Sequence, residues 1–380
     1  MPPGDELAAA IDAAWAAGDA VLPLDPALPL DARRRIDDAL RPDQPVDPDV
    51  ALVIATSGST GAPKGVQLSA AALAASARAT IDRLGLTADD VWLSCLPWHH
   101  IAGLQVLLRA RIGGAGLRVQ PRFDVEAFAA ERDATVTSLV PTQLRRLLDA
   151  GVDVSRFRAI LLGGAAAPPG LVERARAAGA NVVTTYGMSE TCGGCVYDGR
   201  PLDGVDVRVE NDGRIWLRGP MLMTGYRLRA DLTAEVLVDG WLRTADRGRR
   251  ADDGTLQVLG RIDDVVVTGG ENVDPAAIAT ALATHPSVVD VVVVGVPDDE
   301  WGEAVAAVVV LVDGAALTVA EAREWCAERL PRAALPRLVV PVDTMPTAAS
   351  GKPDRSAVRR LAYTAAGSER SRQSPPPSVR

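Results

Sequence analysis

Lysine is almost absent: of 40 basic residues only two, Lys64 and Lys352, are lysines, and both stand beside glycine. An ammonium is a compact, rotatable charge that arginine's planar fork does not replace, so the two positions where this arginine-using chain keeps lysine are marked as sites of chemistry. Aromatic residues are also scarce, at 4%, which leaves the core to aliphatic side chains; 48% apolar content over 380 residues is ample for it. No apolar run reaches the roughly 18 residues of a membrane helix, and acids occupy the start MPPGDELAAAIDAAW where a signal peptide has basic residues. A cytoplasmic protein without a membrane span is the expectation. A net charge of −9, with no basic cluster interleaved with aromatics, excludes nonspecific nucleic-acid binding. Four cysteines are too few and scattered for a disulfide framework. Cys192 and Cys195 form a C-x-x-C, but with three histidines and no second cysteine pair no zinc ligand set exists, so structural thiols are the reading.

Residues 1–50 read as one helix, Asp5 to Ala17, and an extended proline- and aspartate-rich lead-in. From Ala51 short apolar runs alternate with helical segments, the pattern of a mostly parallel sheet covered on both faces. Ser69 is a good N-cap for a helix to Leu84, and Pro141 suits a first helical turn. After Pro201 the spacing shortens to hairpins built on NDG and DDG. The fold class is therefore α/β: a large N-terminal domain, residues 1–261, with mostly parallel sheets and a small β subdomain, then a small mobile α+β C-terminal domain, residues 262–363. Residues 364–380 lack apolar periodicity and read as a disordered tail.

The stretch Thr56 to Gly65, TSGSTGAPKG, follows an apolar strand and combines glycines that let a backbone approach an anion, hydroxyl donors and one lysine. It reads as a phosphate loop, with a bland flexible loop as the alternative. It is not the kinase-like P-loop: Gly58, Gly61 and Gly65 have a different spacing, and no Ser or Thr follows Lys64.

TSGSTGAPKG resembles the phosphate loop of the acyl-adenylate-forming superfamily, which includes acyl-CoA synthetases, luciferases and nonribosomal adenylation domains. Six further motifs agree in order: LLGGAAAP, TYGMSE, GWLRTAD, GRIDD, VTGGENV and SGK. The resemblance implies ATP, Mg²⁺ and CoA, and a reaction in which a carboxylate attacks the α-phosphate of ATP and a thiol then displaces AMP. It implies nucleotide contacts from Thr56, Ser57, Gly58, Ser59, Thr60, Lys64, Gly163, Gly164, Tyr186, Gly187, Met188, Ser189, Asp246 and Arg261, with Tyr186 stacked on adenine and Gly163 and Gly164 leaving room on its other face. Glu190 has the place of the carboxylate that holds Mg²⁺. Lys352 matches the lysine bridging carboxylate and α-phosphate, Asp263 the hinge of a swinging C-terminal domain, and Gly269 and Gly270 the lining of a pantetheine tunnel.

The string PWHHIAGL resembles the segment in which acyl-CoA synthetases carry a histidine, with His100 in that position; a capping or core histidine is the alternative. Arg109, on the helix that follows, suits a second substrate carboxylate, because its fork pairs with carboxylate bidentately; a solvated helix arginine is the alternative. Within the superfamily, TYGMSETC and GGENVDPAAI are most similar to the 2-succinylbenzoate–CoA ligases of menaquinone synthesis, whose substrate carries two carboxylates. Other readings are a ligase for a monocarboxylic aromatic or fatty acid, an enzyme that loads an acyl group onto a carrier protein, and a degenerate nucleotide-binding protein. Two departures stand out. Only 55 residues precede Thr56, so an N-terminal lobe is shortened and a homodimer could cover the flank; and Ala245 stands where the family has glycine.

Overall fold

The computed structural model describes residues 1–57, 63–168, 170–347 and 353–373. The chain divides into two compact units, Met1–Thr244 with Arg249–Gln257, and Ala245–Gly248 with Val258–Arg380. Asp246 and Arg261, which a boundary at 261/262 leaves in the first domain, thus group with the second unit.

In the first unit the apolar runs VWLS, GLRV, VTSL and AILL become strands Val91–Ser94, Gly116–Val119, Val136–Leu139 and Ala159–Leu162. With Val182–Met188, Gly193–Tyr197 and Arg200–Pro201 they form a seven-stranded sheet, whose order begins at Gly116–Val119 and passes through Val91–Ser94 to the strands that follow in sequence. The first five strands pair in parallel, for example Leu139 with Leu162 and Leu162 with Thr184, and the last two turn back antiparallel. Every residue of Val136–Leu139 and Ala159–Leu162 is buried, as expected of strands covered on both faces, which read as continuous apolar runs rather than alternating ones. Parallel pairing sends the carboxyl ends of these strands to one edge. Three motif segments leave the sheet there: Pro97–His100, Gly163–Gly164 and the turn after Met188. Ligands of open α/β sheets gather at that edge.

A second sheet joins Val50–Ser57, Pro63–Ser69 and Gly225–Tyr226. The hairpin region is a five-stranded sheet of Asp206–Val209, Arg214–Arg218, Leu237–Val238, Trp241–Arg250 and Leu256–Arg261, in which the first two strands pair antiparallel, as do Leu237–Val238 and Trp241–Arg250, and Gly213 and Gly254 take the positive φ that their turns require. The lead-in is not wholly extended, since residues Leu30–Leu40 form a second helix. Its end is held from a remote part of the sequence: the buried guanidinium of Arg227 donates to the carbonyls of Leu40, Arg41, Gln44 and Pro45, collecting acceptors a helix end leaves open.

In the second unit, strands Val266–Thr268, Glu271–Val273, Val288–Asp298, Gly302–Leu311 and Leu338–Pro341 form a sheet whose side chains alternate between two cores. Val293, Val305, Ala307 and Val309 face Ile278 and Leu282 of helix Pro275–Ala283 and Ala322 and Cys326 of helix Val319–Ala327. Val292, Val294, Ala306 and Val308 face Val358 and Ala362 of helix Arg355–Gln373. Of the stretch 364–380 expected to be disordered, residues up to Gln373 continue this helix, with Ala365 and Ala366 packed against the second core, and residues 374–380 lie outside the described residues.

Candidate functional site

In the first unit the phosphate-loop segment is a hairpin whose arms are set by strand pairing. Thr56 stands opposite Lys64 and Ser57 opposite Pro63, and the Thr56 hydroxyl donates to the Lys64 carbonyl at 3.4 Å. Gly58, Ser59 and Thr60 lie outside the described residues, as does the side chain of Ser57. Lys64 Nζ stands 5.4 Å from the centroid of the Tyr226 ring, and the Tyr226 hydroxyl donates to Glu190 Oε1 at 2.7 Å. Lys64 and Glu190, far apart in sequence, are thus joined through a tyrosine that no motif singled out. Its sequence signal was slight: one of four tyrosines, next to a glycine.

The TYGMSE motif runs along strand Val182–Met188 into a single helical turn, Ser189–Thr191. Thr191 closes that turn, accepting from the Met188 N–H at 2.9 Å and lying 2.7 Å from the Gly193 carbonyl. Glu190 is held at both ends, its carbonyl accepting from the Met223 N–H at 2.9 Å. Two glycines here are fixed by close approach. A Cβ at Gly187 would sit 2.0 Å from the Gly193 carbonyl oxygen, and one at Gly163 would sit 2.1 Å from Thr185 Oγ1. At Gly163 the space a side chain would fill is therefore taken by Thr185. Gly164 has φ +83 and turns the chain away from the strand end.

His100 is the N-cap residue of helix Ile101–Gly113, its carbonyl accepting from Gly103 and Leu104 N–H groups, and its ring lies 4.4 Å from that of His99. Burial holds His99 below its ordinary pKa, with Asp25 opposing, so His99 is neutral near pH 7. Further along this helix Arg109 is 4% exposed. It is not a solvated helix arginine. Its Nε has no hydrogen-bond partner, and it forms no ion pair with a described carboxylate; its guanidinium carbon lies 5.9 Å from the Trp92 ring centroid, beside Gly193, where a Cβ would lie 4.0 Å from Nη2. Gly193 pairs with Met188, which puts the guanidinium against the TYGMSE strand. Cys192 and Cys195 are buried, their thiols pushed up by desolvation, that of Cys195 to about 12, so neither is a reactive thiolate.

In the second unit Arg261 Nη1 lies 3.7 Å from Asp246 Oδ1, bringing together two residues of separate motifs. Gly269 and Gly270, with φ +59 and +80, form the two-residue turn between Val266–Thr268 and Glu271–Val273. A Cβ at Gly269 would meet the Trp301 ring at 2.9 Å, and the ring's partner is Arg337, 3.7 Å from its centroid. At Gly270 nothing lies within 4 Å. Lys352 lies outside the described residues, as does the side chain of Asp263 in the turn Ile262–Asp264. Among the described residues no cluster of three metal-ligating side chains occurs, and no helix is long and apolar enough to cross a membrane.

A family model described as AMP-binding enzyme matches residues 29–227, and one described as AMP-binding enzyme C-terminal domain matches residues 277–352. A Mycobacterium tuberculosis protein named probable 2-succinylbenzoate–CoA ligase is 46% identical over 333 residues, covering 83% of this chain and 86% of its own. Among solved structures, o-succinylbenzoate CoA synthetase (MenE) from Bacillus subtilis in complex with the acyl-adenylate intermediate OSB-AMP is 33% identical with a TM-score of 0.74, over 82% of this chain and 69% of that one. ATP-bound MatB from Rhodopseudomonas palustris is 27% identical with a TM-score of 0.86, over 95% and 87%. Matched along both its units and 46% identical to such a relative over most of its length, the chain belongs to the AMP-binding, acyl-adenylate-forming enzymes.

Proposed function

We propose that this chain is an AMP-forming acid–CoA ligase acting on 2-succinylbenzoate, a step of menaquinone synthesis in the cytoplasm. A carboxylate oxygen attacks the α-phosphorus of ATP and pyrophosphate leaves; the thiol sulfur of CoA then attacks the acyl carbonyl, loses its proton, and AMP leaves. The observation that carries the substrate is Arg109, a buried guanidinium without a carboxylate partner among the described residues. An uncompensated buried charge is costly, and a substrate with two carboxylates supplies the missing partner with one while the other is activated. The likeness to 2-succinylbenzoate–CoA ligases over most of the chain supports the same reading.

The remaining residues take the roles that their motifs imply. Lys64 and the loop Thr56–Thr60 hold the β- and γ-phosphates, Tyr186 stacks on adenine, and Gly163, Gly164, Gly187, Met188 and Ser189 form the edge around it. Asp246 accepts from the ribose hydroxyls with Arg261 as its partner; the 3.7 Å approach of the two supports a shared task. Lys352 bridges carboxylate and α-phosphate, offsetting charge where two anions meet. Asp263 is the hinge, and Gly269 and Gly270 line the path of pantetheine. His100 shapes the acid site, with His99 packed against it. For Mg²⁺ the donor set fits: Glu190 has one oxygen bonded to Tyr226 and no hydrogen bond to the other among the described residues, and one carboxylate together with phosphate oxygens and water is the usual magnesium environment. The ion, when bound, neutralises phosphate charge.

The test is AMP release from ATP and CoA across a panel of acids. Turnover of 2-succinylbenzoate, with little from monocarboxylates such as 4-oxo-4-phenylbutanoate, is expected. Turnover of monocarboxylates alone would remove the dicarboxylate reading.

A further inference from the structure

The Tyr226 side chain touches both Lys64 and Glu190. Its hydroxyl donates to Glu190 Oε1 at 2.7 Å, and its ring carries the Lys64 ammonium 5.4 Å from the centroid. Neither Lys64 nor Glu190 forms an ion pair among the described residues, although the two opposite charges share one tyrosine. A tyrosine satisfies both without joining them: the electron-rich face attracts the cation, and the hydroxyl at the ring's far edge donates to the anion.

The support behind Tyr226 is unusually complete for a residue in a two-residue strand. The strand pairs Tyr226 with Val66, two residues from Lys64. Its N–H donates to Thr233 Oγ1 at 2.8 Å, and the next residue is Arg227, whose guanidinium is buried among four carbonyls. The Met223 N–H holds the Glu190 carbonyl from the same segment. Tyr226 is 9% exposed, so its ring has little freedom to swing away.

We propose that Tyr226 is a positioning residue for magnesium–nucleotide binding. Its hydroxyl fixes the Glu190 carboxylate so that the second oxygen faces the metal, and its ring keeps Lys64 and Glu190 apart, leaving the lysine for phosphate and the carboxylate for the ion. This rests on the assignment of Glu190 to Mg²⁺ made above. The two functions separate by substitution. Tyr226→Phe keeps the ring and loses the hydroxyl; Tyr226→Leu loses both.

The experiment is calorimetric titration of the full chain with ATP, without acid or CoA so that no turnover occurs, in a series of MgCl₂ concentrations and in EDTA. For Tyr226→Phe the Mg²⁺ concentration that half-restores ATP affinity should rise about tenfold, equivalent to ~1.4 kcal/mol, while affinity in EDTA stays within about twofold of wild type. For Tyr226→Leu affinity should fall in both conditions, because Lys64 becomes free to pair with Glu190. Glu190→Gln is the reference. If it shifts the Mg²⁺ dependence and Tyr226→Phe does not, the positioning role is wrong. An equal loss by Tyr226→Phe with and without Mg²⁺ marks a merely structural tyrosine and also overturns it. If Glu190→Gln itself leaves the dependence unchanged, the metal assignment falls and this proposal falls with it.

Discussion

Replacing Arg109 with methionine tests the substrate assignment from two sides. The guanidinium is buried at 4% exposure, has an unpartnered Nε and faces no described carboxylate, so the free enzyme holds a charge in a poorly solvating place. A methionine of similar length removes that burden, and the melting temperature of the free enzyme should stay level or rise. In the complex with 2-succinylbenzoate the same change leaves the second carboxylate buried without a counter-charge. Breaking a buried pair on one side costs about 3–5 kcal/mol; at the lower end, kcat/KM should fall roughly a hundredfold. With 4-oxo-4-phenylbutanoate, which lacks the ring carboxylate, no pair exists to break. Its kcat/KM should change by less than about threefold, a loss too small for a broken pair. The assay is pyrophosphate release for both acids with both proteins, beside thermal melting. An equal loss with the two acids, or a marked fall in melting temperature, would refute the reasoning and make Arg109 a structural residue.

Four further outcomes are expected. Lys352→Ala should abolish pyrophosphate release from acid and ATP; undiminished release would show that the lysine has another role. Gly270→Leu meets open space but a φ of +80, so it should cost about 1–2 kcal/mol of stability and slow thioester formation more than adenylation, which single-turnover assays of each half-reaction can separate. Gly163→Ala would place its Cβ against Thr185 Oγ1 and should destabilise by about 1–3 kcal/mol, with part of the loss recovered in the double variant with Thr185→Ala; no recovery by chemical denaturation would put the clash elsewhere. Asp90 tests pH: burial pushes its carboxyl up, but bonds from Arg158, Thr87 and Thr135 outweigh that and hold it below the ordinary value. A lowered folded pKa gives stability that is full above about pH 4 and is lost as pH falls through the folded value. Asp90→Asn should therefore melt several degrees lower at pH 7, with the gap closing below about pH 4; a gap independent of pH would contradict the assignment.

Much was legible in the sequence because it is written in local residue choice. Four-residue apolar runs spaced by helices specify parallel strands, since only strands covered on both faces can be apolar throughout. Paired glycines at 269 and 270 specify a tight turn, because both positions need positive φ. The rarity of lysine is enough by itself to mark Lys64. Other features depend on partners far along the chain, and no local pattern carries them. The helix Leu30–Leu40 ends on Arg227, nearly two hundred residues away. The glycine at 163 answers to Thr185 on the neighbouring strand, and the helix Arg355–Gln373 is ordered by a sheet whose strands lie before it.

The same division runs through the site. Residue type and context nominated Lys64 and Arg109, because an ammonium and a guanidinium each suit one chemistry, while Glu190 was nominated by the resemblance of its motif. Only the tertiary structure decided that Tyr226 connects Lys64 and Glu190, since a hydroxyl at 2.7 Å and a ring face at 5.4 Å are facts of packing between a hairpin, a strand end and a two-residue strand. Only packing, too, made Arg109 a buried charge in want of a partner. Sequence determines which groups a chain can offer; desolvation, which turns an ordinary arginine into a buried charge, arises when the surrounding elements close over it.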